Sequence, residues 1–156
     1  MGKEYAYARI SRKTQKIERQ IENLTKAYPN ARIYQEAYTG TRTEGRKEFR
    51  KMLSVVKPGD TIIFDSVSRM SRNADDGIKL YMDLYDKGIN LVFLKEQYIN
   101  TEVYKESIQQ TIDATGNEIA DIYIEATNKV IKLLAEQQIR KAFEQSEKEV
   151  QDLHER

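Results

Sequence analysis

Apolar positions along the first hundred residues switch between two periods. From Glu4 to Ile10 the period is two, with Tyr5, Tyr7 and Arg9 on one face and Ala6, Ala8 and Ile10 on the other, which predicts a strand. From Thr14 to Ala27 it becomes helical, with Ile17, Ile21 and Leu24 at i, i+4 and i+7 and Thr14 as N-cap. Tyr28-Pro29-Asn30 ends that helix, and 31–36 reads as a second strand. A polar loop with two glycines fills 37–45, and a helix over 46–56 then buries Phe49, Leu53 and Val56. Lys57-Pro58-Gly59-Asp60 is a stop signal. Thr61-Ile62-Ile63-Phe64 is a short apolar run of the kind buried in parallel sheets. A helix over 74–87 turns Ile78, Tyr81, Met82 and Tyr85 inward, Gly88 closes it, and a fourth strand follows at 89–94. This alternation predicts an α/β core over 1–100: a mostly parallel sheet of four or five strands with helices on both faces.

The pattern changes at Thr101. Residues 102–115 read as a short helix or connector, broken at Gly116-Asn117. From Glu118 to Arg156 there is neither Gly nor Pro. Ile119, Ile122, Ala126, Val130, Leu133, Leu134, Phe143, Val150 and Leu153 form an apolar stripe at helical spacing. A helix of that length runs about 50 Å or more, longer than a domain of this size covers. Part of the stripe is therefore expected to meet a second copy of the chain, with 101–117 as connector and 118–156 as a dimerisation helix.

Composition narrows the chemistry. There is no cysteine, which removes disulfides and thiolate metal sites. His154, near the C-terminus, is the only histidine, so neither a histidine zinc site nor a Ser-His-Asp triad is expected. No apolar run is long enough for a membrane span, and the N-terminus lacks an apolar signal region, so a cytoplasmic protein is expected. The net charge of +1 hides an asymmetry. Residues 1–60 hold 14 Lys/Arg against 7 Asp/Glu, whereas 101–156 hold 7 against 12. The basic part points to a polyanionic partner.

That part contains the arginines. Arg9 ends the first strand and Ser11 follows it, where the strand hands over to a helix. Arg46 opens the helix after the polar loop, and Arg69 and Arg72 are three apart, on one face if the segment is helical. In a doubly wound sheet the loops after strands 1, 2 and 3 leave at one edge, which gathers Ser11, Glu36, Arg46, Arg69 and Arg72. Guanidinium groups match phosphate geometry and stay charged, so the set suits a phosphate beside a hydroxyl nucleophile.

Tyr7-Ala8-Arg9-Ile10-Ser11 with Gln15 and Gln20, the glycine loop before Arg46, Pro58-Gly59-Asp60, and Ser68-Arg69-Met70-Ser71-Arg72-Asn73 stand in an order that resembles the serine recombinases: resolvases, invertases and large integrases. The resemblance covers about residues 1–100, and more loosely the long helix. It implies that Ser11 attacks a DNA phosphodiester to give a 5′-phosphoserine link, with no metal or other cofactor. Arg9, Arg46, Arg69 and Arg72 would hold the scissile phosphate, and Gln15 and Gln20 would orient Ser11 and the arginines by hydrogen bonds. Asp60 would anchor an arginine and Tyr7 would shape the pocket wall. Glu36 stands where the family often has aspartate. Arg12, Lys13 and Arg42 would contact DNA. The resemblance further implies a homodimer through the long helix, a tetramer at synapsis, bacterial or mobile-element origin, and a DNA-binding domain outside this chain.

Two other readings of the same residues stay open. One is a magnesium-dependent nuclease using Glu36, Asp60 and Asp65. The other is a non-catalytic module that binds phosphate or dimerises.

Overall fold

A computed structural model describes residues 2–10, 17–36 and 46–154, with side chains through Glu149. Ser11, Arg12, Lys13, Thr14, Gln15 and Arg42 lie outside the described residues. Four strands, β1 (Glu4–Arg9), β2 (Arg32–Glu36), β3 (Thr61–Phe64) and β4 (Asn90–Phe93), form one sheet in the order β2-β1-β3-β4, every pair parallel. Helix α1 (Glu18–Ala27) follows β1, and α2 (Lys47–Val55) precedes β3. The short α3 (Val67–Met70) and then α4 (Ala74–Asp86) lie between β3 and β4. After β4 come a 3-10 turn at Gln97–Ile99, α5 (Thr101–Gln109) and α6 (Glu118–His154).

The alternation on β1 builds two cores. Ala6, Ala8 and Ile63 meet Leu24 and Ile21 of α1, and Ile17 just before it, on one face. Tyr5 and Tyr7 join Phe49, Met52, Phe64, Tyr81, Phe93 and Phe143 on the other. Small residues face α1 and rings face the rest, so α1 lies close to the sheet while the opposite layer holds stacked aromatics: Phe64 lies flat on Phe93 at 5.4 Å. Met52 takes the deepest place on α2, beside Phe49, and the predicted Leu53 and Val56 pack at its margin.

β1 sits between β2 and β3, so the chain steps one way to β2 and back past β1 to β3. This reversal opens a crevice at the C-terminal ends of β1 and β3, the place where ligands bind in open α/β sheets.

At 37 residues α6 is about 55 Å long. Its later part packs on the core through Ile139, Ala142, Phe143 and Ser146, at i, i+3, i+4 and i+7. Phe143 lies where the absence of a side chain at Gly77 leaves room; a Cβ there would stand 2.5 Å from the ring. Glu147 accepts from the Ala74 amide at 3.0 Å, and Arg140 pairs with Asp75 at 3.3 Å. The earlier part exposes Ile119, Ile122, Tyr123, Val130, Leu133 and Leu134. Its start is held by a fold-back: Asn128 bonds both the amide and the carbonyl of Ile112, each at 2.9 Å.

Candidate active site

β1 carries Arg9 to the crevice as its last residue. Its backbone is gripped by Gln20 of α1, whose Oε1 accepts from the Arg9 amide at 3.1 Å and whose Nε2 donates to the Arg9 carbonyl at 2.8 Å. One side-chain amide thus stands in for a neighbouring strand and fastens α1 to the strand end. Gln20 is itself buried, so both bonds are shielded from water.

The arginine side chains interlock through backbone carbonyls. Arg9 Nη2 donates to Ser68 O, Arg69 Nη1 to Arg9 O at 3.1 Å, and Arg46 Nη1 and Nη2 to Met70 O at 2.7 Å and Arg69 O at 2.9 Å. Arg46 therefore ties down the C-terminal carbonyls of α3, where a cation is favoured. It also lies over the Phe49 ring, 4.1 Å from its centroid, and 5.3 Å from that of Tyr7. Its Nε donates to Tyr7 Oη at 3.4 Å. Phe49 was expected from the sequence as a core residue only; its spacing of three from Arg46 on a helix was the available signal for this contact.

Tyr7 donates to Glu36 Oε2 at 3.0 Å. Glu36 also accepts from the Phe49 amide at 3.1 Å and the Glu48 amide at 3.4 Å. It is the anion at the N-terminus of α2, and its length lets it reach both helix and phenol. Burial pushes the Tyr7 phenol up to about 12, against the pull of Arg46. Glu36 sits level with Arg9 in the sheet, yet among the described residues it forms no ion pair with an arginine.

Two expectations are corrected. Arg69 and Arg72 do not share a helical face: α3 ends at Met70, and Ser71 is extended at φ −157° and ψ 145°. Four residues leave no second turn to hold both. Asp60 does not anchor an arginine. Its carboxylate accepts from the amides of Lys3 and Lys57, each at 2.8 Å, and these two donors hold it below the ordinary carboxylate range. It precedes β3, so it lies at the opposite end of the sheet from Arg9, six residues or about 20 Å away at the strand rise. That separation also breaks up the carboxylate trio of Glu36, Asp60 and Asp65. Among the described residues no three acidic or histidine side chains gather as a metal site.

The electrostatics of the crevice are one-sided. Arg9 is only 6% exposed. Burial first, then Arg46, Arg72 and Arg69, pulls its guanidinium down to about 9. Arg69 is lowered by burial and by Arg72, against the opposing pull of Asp65. Arg72 therefore acts on both neighbours although it stands beyond α3. Arg9 Nε and Arg69 Nε are buried without a hydrogen-bond partner among the described residues. Carbonyl oxygens satisfy part of the donor set but carry no full negative charge, so the like charges are left opposed. An anion placed among them would reverse the shifts. Another residue missed in the sequence is Glu96, just past β4, which accepts from the Val67 amide at 3.1 Å and so fixes the start of α3.

Residues 4–142 match the family described as Resolvase, N terminal domain. The chain belongs to the resolvase family. It is 33% identical over 96 residues to a resolvase of Clostridium perfringens, covering 61% of this chain and 50% of that protein. It is 32% identical over 100 residues to the transposon Tn501 resolvase of Pseudomonas aeruginosa, covering 64% and 51%. This resolvase-family chain thus spans about half the length of the curated relatives it matches. Its fold is similar to the crystal structure of a resolvase family site-specific recombinase from Streptococcus pneumoniae, with a TM-score of 0.50, 21% identity, and coverage of 93% and 97%. No helix among the described residues is long and apolar enough to cross a membrane.

Proposed function

We propose that this chain cuts and rejoins DNA, with Ser11 as nucleophile. The observation that carries the reading is the interlocked set of arginines at the switch point of a resolvase-family sheet, half-buried except for Arg9, which is buried and stands two residues from Ser11 in sequence. The Ser11 hydroxyl loses its proton and attacks phosphorus. A serine–phosphate bond forms, the bond to the 3′ oxygen breaks, and that oxygen takes up a proton. The 5′-phosphoserine keeps the ester energy, so the reverse attack by a 3′-hydroxyl reseals the strand. Arg9, Arg46, Arg69 and Arg72 stabilise the charge that builds on phosphorus oxygens, a task positioned cations perform without a metal. Gln20 positions Arg9 through its backbone. Gln15 is proposed to orient the nucleophile, and Arg12, Lys13 and Arg42 to contact DNA. Tyr7 and Glu36 act indirectly, by holding Arg46 at the start of α2.

The exposed apolar positions of α6, from Ile119 to Leu134, support a dimer formed through that helix, with the tetramer arising from two such dimers on DNA. A double change, Ile122→Ser with Leu133→Ser, is expected to abolish concentration-dependent self-association in sedimentation experiments. A protein that is monomeric at every concentration before the change would count against the dimer.

The test of the chemistry is a nicked duplex substrate that traps the covalent adduct, with the chain joined to a DNA-binding domain of known site. The expected result is an adduct in the presence of EDTA that disappears in Ser11→Ala. Cleavage that survives Ser11→Ala and requires a divalent ion would overturn the proposal.

A further inference from the structure

Beside the arginine set, on the α1 side of the sheet, a second opening runs along the same edge. It is a cavity of about 800 Å³. Arg19, Asn23 and Lys26 line it from α1 at i, i+4 and i+7, so one helix face points in. Lys95 comes from the segment after β4, and Arg69 from α3 closes the end next to Arg9. Against four cations there is one acid, Asp65, whose Oδ1 already accepts from Asn23 Nδ2 at 3.2 Å. Arg19, Lys26 and Lys95 are exposed, and among the described residues none of them forms an ion pair. The acids of α1, Glu18 and Glu22, line a different recess with Ile21 and Thr25, and Lys26 stands at the boundary and lines both. Charge is thus sorted around one short helix, with the positive side turned toward the crevice.

The dimensions select the ligand class. Arg19 and Lys26 are seven residues apart, about 10 Å along the helix. A DNA strand in a duplex advances about 3.4 Å along the axis per nucleotide and farther along its own winding backbone, so that length engages more than one backbone phosphate. A single small anion would not engage cations spread over such a track, whereas a strand entering the arginine set would pass along it. The geometry points to this groove as the seat of the DNA backbone flanking the phosphate held at Arg9, with Arg69 shared between the two. Its contacts are to phosphates, so it sets register and affinity and reads no bases. This inference rests on the proposed DNA chemistry and adds a second binding element to it.

The experiment measures the dissociation constant for a short duplex of arbitrary sequence across a range of salt concentrations. It compares the unaltered chain, the triple variant Arg19→Gln, Lys26→Gln, Lys95→Gln, and a control that removes equal charge elsewhere, Lys79→Gln, Lys87→Gln, Lys105→Gln. Each phosphate contact contributes about 0.9 to the slope of log affinity against log salt. The groove variant is expected to lose about 2 to 3 from that slope, Lys95→Gln alone about 0.9, and the control variant nothing. A groove variant that loses no more slope than the control overturns the inference. Adduct formation by the unaltered chain on a nicked duplex is read in parallel. An adduct with an unchanged slope in the groove variant sinks the groove and leaves the serine chemistry standing. A reduced slope without any adduct keeps the groove and sinks the chemistry. No duplex binding at any salt concentration overturns both. An acidic peptide whose binding is lost in the groove variant while duplex binding is kept would assign the groove to a protein partner instead, against the inference.

Discussion

The two ends of the sheet treat charge in opposite ways. At the N-terminal end, Asp60 is buried but satisfied: two backbone amides donate to it, and the carboxylate prefers to be ionised there. It joins the chain before β1 to the turn before β3, much as a helix cap joins a loop to a helix. At the C-terminal end, Arg9, Arg46, Arg69 and Arg72 crowd together with carbonyl oxygens as the acceptors that hold three of them in place. There burial and neighbouring guanidinium groups lower Arg9 to about 9 and lower Arg69 as well. The same backbone supplies the counter-groups at both ends. Amides complete a carboxylate, but carbonyls do not neutralise guanidinium groups packed among their own kind. One end is finished by folding; at the other, Arg9 Nε and Arg69 Nε stay buried without a hydrogen-bond partner among the described residues, which suits a site for a phosphodiester.

That contrast can be attacked in several places. The largest effect is expected from Arg9→Gln, which removes one charged donor from the reacting phosphate: the rate of adduct formation on nicked duplex should fall by about 10²- to 10³-fold. An unchanged rate would mean that Arg9 is a structural residue only. Next comes Gln20→Leu, which strands the buried amide and carbonyl of Arg9; a cost of about 2–6 kcal/mol is expected in urea unfolding, at about 1–3 kcal/mol for each unpaired group. A loss well under 1 kcal/mol would show that water replaces the side chain, and that the edge is more open than its burial implies.

A smaller effect is expected from inorganic phosphate. At ten times its dissociation constant it should stabilise the chain by about 1.4 kcal/mol, read as a raised Tm relative to chloride at equal ionic strength. The gain should vanish in Arg9→Gln combined with Arg69→Gln. Equal stabilisation of both proteins would remove the distinction between the two ends. The smallest effect belongs to the finished end. Asp60→Asn leaves one amide short of its acceptor and should cost about 1 kcal/mol near neutral pH. Because the folded carboxylate is lowered below its unfolded value near 3.9, its contribution is present above that pH and is lost as the pH falls through the folded value. The variant's stability should therefore depend less on pH on the acid side, measured by urea midpoints from pH 6 downward.

The elements themselves were legible in the chain. Alternation at Tyr5–Ala8, the apolar run Thr61–Phe64 and the 3.6 period around Tyr81 fixed strands and helices to within a few residues, because burial on one face selects residues at the period of the backbone. The convergence of Arg9, Arg46 and Arg69 was legible too, since parallel strands deliver their following loops to one edge. What the sequence left undetermined was how each group is satisfied. Nothing local distinguishes an Asp60 that anchors an arginine from one that accepts two amides, as the answer depends on which end of β3 it occupies. Nor does a spacing of three say that Arg69 and Arg72 share a face, when the helix ends at Met70 between them. The grip of Gln20 on Arg9 spans eleven residues, and the bonds from Arg46 to α3 span more than twenty. Periodicity comes from the geometry of one element at a time, so sequence alone determined the elements and the edge at which they meet. Hydrogen-bond partners and the balance of charge arise only between elements, so the tertiary structure decided them.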